Sequence, residues 1–400
     1  MGKIKEILID RFDGGISNDK RSKNLSQFAM ARHFDAFTYP HKLVPKFGAD
    51  SKETGSDWTG AATKPFKFIF DEIDGTKRII ALCKTSNSYA LLLYWDNDAS
   101  QWVNPTGGIS VSDAVIDDVF FSYKGYAYFW GGSTKLQRYK LTADAGLDES
   151  YQTVTAFTGR SGQGNSDVCQ PIHFTKDDIA YFFTGNLVHA LNDDSWDDDV
   201  LELPSTSVIK ATAEYQDYIV IGANYTGFTK STIFFWDRDS SLNTMSYRYE
   251  MPDRDIYYIE MVNGRLMVIS TDHTKIYIDR YNGAEFETIN ELIIDRDSAE
   301  SSAPTLLNRE GIIVDNKLLF PMDYTAKSTA YNSRLGIWSL ASTGELVLDY
   351  VVNGATTYKG LIQWAGNLWI AYNAGSVVRS SITFSTDVTS DYESLFIGDI

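Results

Sequence analysis

Cysteine is nearly absent from this 400-residue chain, which has only Cys83 and Cys169, too few for a disulfide framework. No Cys-x-x-Cys exists, and His33, His41, His173, His189 and His273 show no ligand spacing, so no metal site is expected. Long apolar runs are missing as well. No window approaches eighteen consecutive apolar residues, which excludes a transmembrane helix and argues against membrane insertion. The opening MGKIKEILIDRF has no apolar core of the kind a secretory signal requires, so no such signal is expected. Positive charge is in deficit: 36 Lys and Arg against 53 Asp and Glu leave a net charge of −17. Direct nucleic-acid binding needs the opposite sign. The sequence also lacks a G-x-S-x-G elbow, a Walker loop and a dinucleotide fingerprint. No cofactor and no enzymatic activity are expected.

Aromatic residues are plentiful, with 24 Tyr, 22 Phe and 9 Trp, and β-structure favours them. A pattern recurs along the chain: an alternating strand, a short polar turn, a more apolar second strand, then a third ending in aromatics and charges. Examples are VFFSYKGYAYFWG, IKATAEYQDYIVIGA, IYYIEMVNGRLMVIS and LIQWAGNLWIAYN. Taking the second turn residue as a marker gives Gly75, Gly125, Asp178, Asp217, Gly264, Asn316 and Gly366, at spacings of 50, 53, 39, 47, 52 and 50. The turn residues are of types that tolerate positive φ, as two-residue hairpin loops require. A period near fifty with three or four strands per unit predicts an all-β fold, a β-propeller. Seven units predict seven blades, at 64–105, 111–157, 168–205, 208–252, 255–298, 304–353 and 357–400. The short 39-residue gap and the loose segment 142–167 leave six and eight blades open. A large β-sandwich also offers frequent strands, but does not repeat its turn chemistry at this period.

Several local signals weigh less than the repeat. SKETGSDW, Ser51 to Trp58, matches a sialidase-type Asp box with Glu53 in place of Asp, but it occurs once and precedes the first blade. NDDSWDDD, Asn192 to Asp199, is the stretch most suggestive of a cation site, yet it lacks the Gly and final Glu of an EF-hand loop and reads as a solvated turn. The pairs Trp95-Asp96 and Trp236-Asp237 end third strands without the Gly-His of WD repeats, and read as blade packing.

Residues 1–62 differ from the rest and read as an N-terminal extended arm preceding a propeller at 63–400. Within it, SQFAMARHFDAF carries Phe28, Ala31, Phe34 and Phe37 at near-helical spacing behind Ser26, predicting one short helix over 26–37. KIKEILID, Lys3 to Asp10, reads as a strand that completes the last blade or augments a neighbour's sheet.

The arm also carries a family resemblance. FDGGISNDKR followed by NLSQFAMARHFDAFTYPHKLVPK resembles the leader of β-propeller virion proteins of tailed bacteriophages. The matching positions are Phe12, Gly14, Gly15, Ile16, Asn18, Asp19, His33, Phe34, Asp35, Leu43 and Pro45, within residues 8–46. The resemblance implies a non-enzymatic structural protein of the virion, in the tail or at the head–tail junction, assembled in the host cytoplasm. It implies other virion proteins as partners, with several copies per particle. Phe12, Gly14, Gly15, Ile16, Phe28, His33, Phe34 and Phe37 are then the candidate partner-binding residues. The alternative is a carbohydrate-binding or glycan-degrading propeller that recognises a host glycan through an axial pocket with two carboxylates and aromatics.

Overall fold

The computed structural model of the chain describes residues 30–32, 34–35, 44–45, 49–51, 63–73, 76–85, 90–96, 101–103, 110–111, 115–131, 135–140, 152–156, 168–242, 244–245, 247–293, 311–322, 336–350, 358–364, 367–372, 376–381 and 395–397. Among them every regular element is a strand. Four consecutive antiparallel quartets begin with the strands Val115–Tyr123, Val168–Phe174, Ser207–Tyr215 and Asp255–Val262. In each, the next three strands follow in sequence order across the sheet. A fifth quartet is assembled from distant parts of the chain. Tyr358–Trp364, Asn367–Tyr372 and Ser376–Ser381 are completed by Ala49–Ser51, which pairs antiparallel with Ser376–Ser381. The same meander occurs within a five-stranded sheet starting at Thr63–Ile73 and a six-stranded sheet starting at Ile312–Val314.

The first strands of successive sheets line one common cavity, so the sheets stand radially around an axis. This is a β-propeller. Radial packing explains the composition of each strand. Second strands such as Arg265–Thr271 and Ile179–Thr184 lie between two neighbouring sheets and are buried along nearly their whole length. Outer strands such as Ser195–Glu202 and Tyr247–Pro252 face solvent and are mostly exposed. Continuous apolar runs are what a strand covered on both faces requires.

Apolar clusters bridge adjacent sheets. One joins Phe183 and Val188 to Ile219, Phe234 and Trp236; the next joins Val220 and Phe235 to Ile256, Ile259 and Val268. Trp95 and Trp369 meet edge to face at 4.9 Å, linking the sheets that begin at Thr63 and Tyr358. Gly222 lies in the second of these contacts. A Cβ there would sit 2.7 Å from Ile259 Cδ1 and 3.0 Å from Ile256 Cγ2. The Ile256 methyl is branched at Cβ and has little freedom to move aside. Gly222→Ala is expected to cost about 1–3 kcal/mol, as overpacking does; urea denaturation measures it, and an unchanged midpoint would show that the sheets separate easily.

Four of the five described turns are two-residue loops as expected, while the one at Asp178 spans four residues, Thr175 to Asp178. Lys124 and Gly125, Asn263 and Gly264, and Asp315 and Asn316 all have positive φ, as do Asp178 and Gln216. Gly75 and Gly366 lie outside the described residues. Turns also tie neighbouring sheets together: Lys124 Nζ lies 2.9 Å from Asp178 and 2.5 Å from Asp193, and Lys176 pairs with Asp217.

The helix expected over 26–37 is corrected. Met30–Arg32 is a strand, antiparallel to Leu395–Ile397 and parallel to Leu346–Tyr350, and Phe34–Asp35 pairs with Val44–Pro45. Sheet edges offer unpaired backbone donors and acceptors. Pairing with them outweighs a local preference that a single short helical window supplies only weakly. The remainder of that window, and the Lys3–Asp10 strand, lie outside the described residues.

Candidate functional site in the axial cavity

The cavity on the axis has a volume of about 770 Å³. Its wall is shaped by an irregularity repeated in the inner strands. In pairing with their second strands, Ile209 and Ala211 oppose Ala223 and Gly222, so Lys210 is an extra residue. Tyr257 is extra between Ile256 and Tyr258, and Gln170 with Pro171 spans a single partner position. A bulge re-aims side chains and bends the strand. Gln170, Lys210 and Tyr257 all line the cavity.

Ser207–Tyr215 keeps its alternation through the bulge. In Ser207–Tyr215, Ile209, Ala211 and Ala213 are buried while Lys210, Thr212 and Glu214 are half-buried. Apolar side chains thus hold the sheets together, and polar ones reach the cavity. Glu214 is held in place by Thr175, whose hydroxyl donates at 2.8 Å and whose amide donates at 3.5 Å. At the start of the next inner strand, Asp255 faces His273 Nε2 at 3.0 Å. Burial raises the Asp255 carboxyl above its usual range, opposed by the nearby His273 and Lys210.

Glu260 is the group least compensated. It lines the cavity from Asp255–Val262, and its one hydrogen bond among the described residues comes from the adjacent Met261 amide at 3.0 Å. Burial pushes its carboxyl up to about 7, with the Met261 amide pulling weakly the other way. A carboxyl poised near neutrality inside a cavity is the kind of group that binding and proton-transfer sites use.

The acidic run Asn192–Asp199 works differently. Asp193 and Asp194 form the turn after Leu187–Asn192 and bind the preceding sheet, Asp193 through Lys124 and Asp194 through Arg138 at 2.6 Å. His189, Asp198 and Asp199 bring possible ligand atoms within 4.8 Å of one another. These atoms are already engaged: Asp199 N donates to His189 Nδ1 at 3.4 Å, Thr184 Oγ1 meets Nε2 at 2.8 Å, and Trp196 Nε1 donates to Asp198 at 2.8 Å. His189 is fully buried and stacked on Trp196. The run is a tie between sheets.

No protein-family model matches this chain, and comparison with curated proteins finds no relative. Solved structures do share the fold. The chain is similar to a catalytically inactive variant of virginiamycin B lyase from Staphylococcus aureus with quinupristin, at 12% identity and TM-score 0.52, covering 84% of this chain and 99% of that one. It is also similar to Sqt1 of Saccharomyces cerevisiae, at 7% identity and TM-score 0.51, covering 85% and 99%. At such identities the likeness is one of fold and carries no activity across.

Of the arm residues singled out from the sequence, Phe34 lies in the Phe34–Asp35 strand. Phe12, Gly14, Gly15, Ile16, Phe28, His33 and Phe37 lie outside the described residues, as do Glu53 and Trp58. Sequence reading missed Lys210, Glu214 and Glu260. A signal was present: Lys210 and Glu214 are the charged members of the polar face of the alternating IKATAEY, and Glu260 is the one charged residue in IYYIEMV. The Trp-Asp pairs do serve packing. Trp95 and Trp236 are buried, and the Asp237 carboxylate accepts from the Ser240 hydroxyl at 2.6 Å and amide at 2.7 Å, closing the turn after the strand.

Proposed function

We propose that this chain is a non-enzymatic structural protein of a tailed phage particle, in the tail or at the head–tail junction. It docks to neighbouring virion proteins through its arm and blade loops, in several copies, without cofactor, nucleic-acid contact or membrane insertion. The leader resemblance carries this reading. The pairing of Phe34 with Pro45 and of Asp35 with Val44 supports it, because it makes the two halves of the leader pattern, His-Phe-Asp and Leu-x-Pro, one local unit. A ring of seven blades is part of the proposal. Five are the four-stranded sheets, and the quartets at Thr63–Val103 and Ile312–Tyr350 supply the other two.

The strand pairings dictate how the reading is tested. Removing residues 1–46 would delete Met30–Arg32 and Val44–Pro45 along with the leader pattern. Removing residues 1–27 deletes Phe12, Gly14, Gly15 and Ile16 and spares every described strand. During phage growth the shorter deletion is expected to yield folded protein whose content in purified particles falls at least ~tenfold, the loss of about 1.4 kcal/mol of docking free energy. Immunoblotting of particles measures this, with circular dichroism as the check on folding. Incorporation at the full-length level would remove Phe12, Gly14, Gly15 and Ile16 from the docking role.

A further inference from the structure

We propose that the axial cavity is a binding site for a small linear organic cation with primary ammonium groups, anchored on Glu260. Its volume of about 770 Å³ lies within the range of small-molecule sites. The chemistry of the wall selects the ligand. On the wall Glu214 accepts from Thr175; off it, Asp255 faces His273 and the buried Asp279 is paired with Arg254 at 3.0 Å. The charge of Lys210 acts on Asp255. Among the described residues, no cation pairs with Glu260.

A buried carboxylate without a counter-charge is costly, so the group takes up a proton unless a cation arrives. An anionic ligand would bring further negative charge to a cavity already lined by Glu214 and Glu260. A neutral sugar would leave Glu260 holding its proton and gain nothing from the carboxylate. A divalent metal needs several oxygen ligands converging on one point. Among the described residues, neither Glu260 nor Glu214 belongs to a group of three possible ligands of metal-site size. An ammonium group needs one carboxylate and a few polar acceptors, and Thr212, Glu214 and Gln170 share the wall. The net charge of −17 draws such cations toward the protein.

Among the described residues, the titratable groups on the wall with Glu260 are Lys210 and Glu214 from Ser207–Tyr215, Tyr257 and Tyr258 from its own strand, and Cys169 from Val168–Phe174. The strands Val115–Tyr123, Ile312–Val314 and Tyr358–Trp364 contribute Phe120, Ile312 and Leu361, none of which titrates. Proton exchange on binding near neutrality that Glu260→Gln abolishes therefore reports on Glu260. An arriving cation favours its ionised form, and the proton leaves to buffer.

Titration calorimetry of the full chain with 1,4-diaminobutane at pH 7 tests this, in two buffers of different ionisation enthalpy and at 0.15 M NaCl to screen surface charge. The expected result is saturable one-site binding with release of about half a proton per ligand, as linkage requires for a group half-protonated at that pH. Glu260→Gln is expected to weaken binding at least ~tenfold, about 1.4 kcal/mol, and to abolish the proton release. Absence of saturable binding up to millimolar ligand would overturn the proposal. So would binding without proton release, which the unmodified chain alone reveals, or unchanged affinity in Glu260→Gln. Saturable binding of maltotriose in place of the diamine would also overturn it and make the cavity a sugar site.

Discussion

Glu260→Gln is expected to stabilise the unliganded protein by about 3 kcal/mol at pH 8 and to leave its stability almost unchanged at pH 4. The folded chain raises this carboxyl from its ordinary 4.5 to about 7 through burial, while the unfolded chain returns it to water. Below about 4.5 both states hold the proton, so burial of the neutral acid costs no ionisation energy. As pH rises the unfolded state loses its proton first, and the penalty on the folded state grows until pH passes about 7 and is constant above it. A difference of roughly 2.5 units at about 1.4 kcal/mol per unit sets the size of the effect. Glutamine has nearly the same shape, keeps a carbonyl for the Met261 amide, and cannot ionise. Urea denaturation at the two pH values measures the difference. An equal shift at both would show that the substitution acts through packing and that Glu260 is solvated. The same penalty is the free energy a bound cation would recover, so a chain made more stable by this change should also bind diamine less well.

Turn chemistry and strand burial were the legible parts of this fold. Pairs such as Lys124-Gly125 and Asn263-Gly264 announce positive φ because few other residues tolerate it. LMVIS announces a strand covered on both faces. The quartet completed by Ala49–Ser51 was not legible, because three residues hold no periodicity and their place depends on an edge more than three hundred residues away in sequence. The same cause produced the error over 26–37. There the Phe28, Phe34 and Phe37 spacing was real, but backbone pairing of Met30–Arg32 with Leu395–Ile397 decided the conformation. The cavity was hidden for a different reason. Alternation holds through the bulge at Lys210, but in Asp255–Val262 the adjacent Tyr258 and Ile259 are both buried just past the bulge at Tyr257, so alternation does not place Glu260. Period-two reading fails at that bulge, which lies on the cavity wall.

Asp279→Ala is expected to destabilise the protein by about 3 kcal/mol, while Asp279→Ala combined with Arg254→Met recovers a large part of that loss. Asp279 lies in the third strand Lys275–Tyr281 at 1% exposure, where an isolated charge would be prohibitive. Its neighbours make it tolerable. Arg254 Nη1 reaches its two oxygens at 3.1 and 3.0 Å, Thr288 Oγ1 donates at 2.5 Å and Ser270 Oγ at 3.3 Å. The Arg254 guanidinium also lies over the Tyr277 ring at 3.8 Å, so the ion pair is fixed against the outer half of the sheet. Removing the carboxylate strands a part-buried guanidinium and leaves two hydroxyls without their acceptor. Removing both charges leaves only the hydroxyls and a cavity. A double-mutant cycle by urea denaturation reads the coupling as the difference between the double change and the sum of the single ones. Coupling near zero would mean that Arg254 is already solvated and that Asp279 is stabilised by Thr288 and Ser270 alone. Strong coupling would establish that Asp279 depends on the Arg254 charge, in contrast to Glu260, whose carboxyl opens onto the cavity and has no such partner among the described residues.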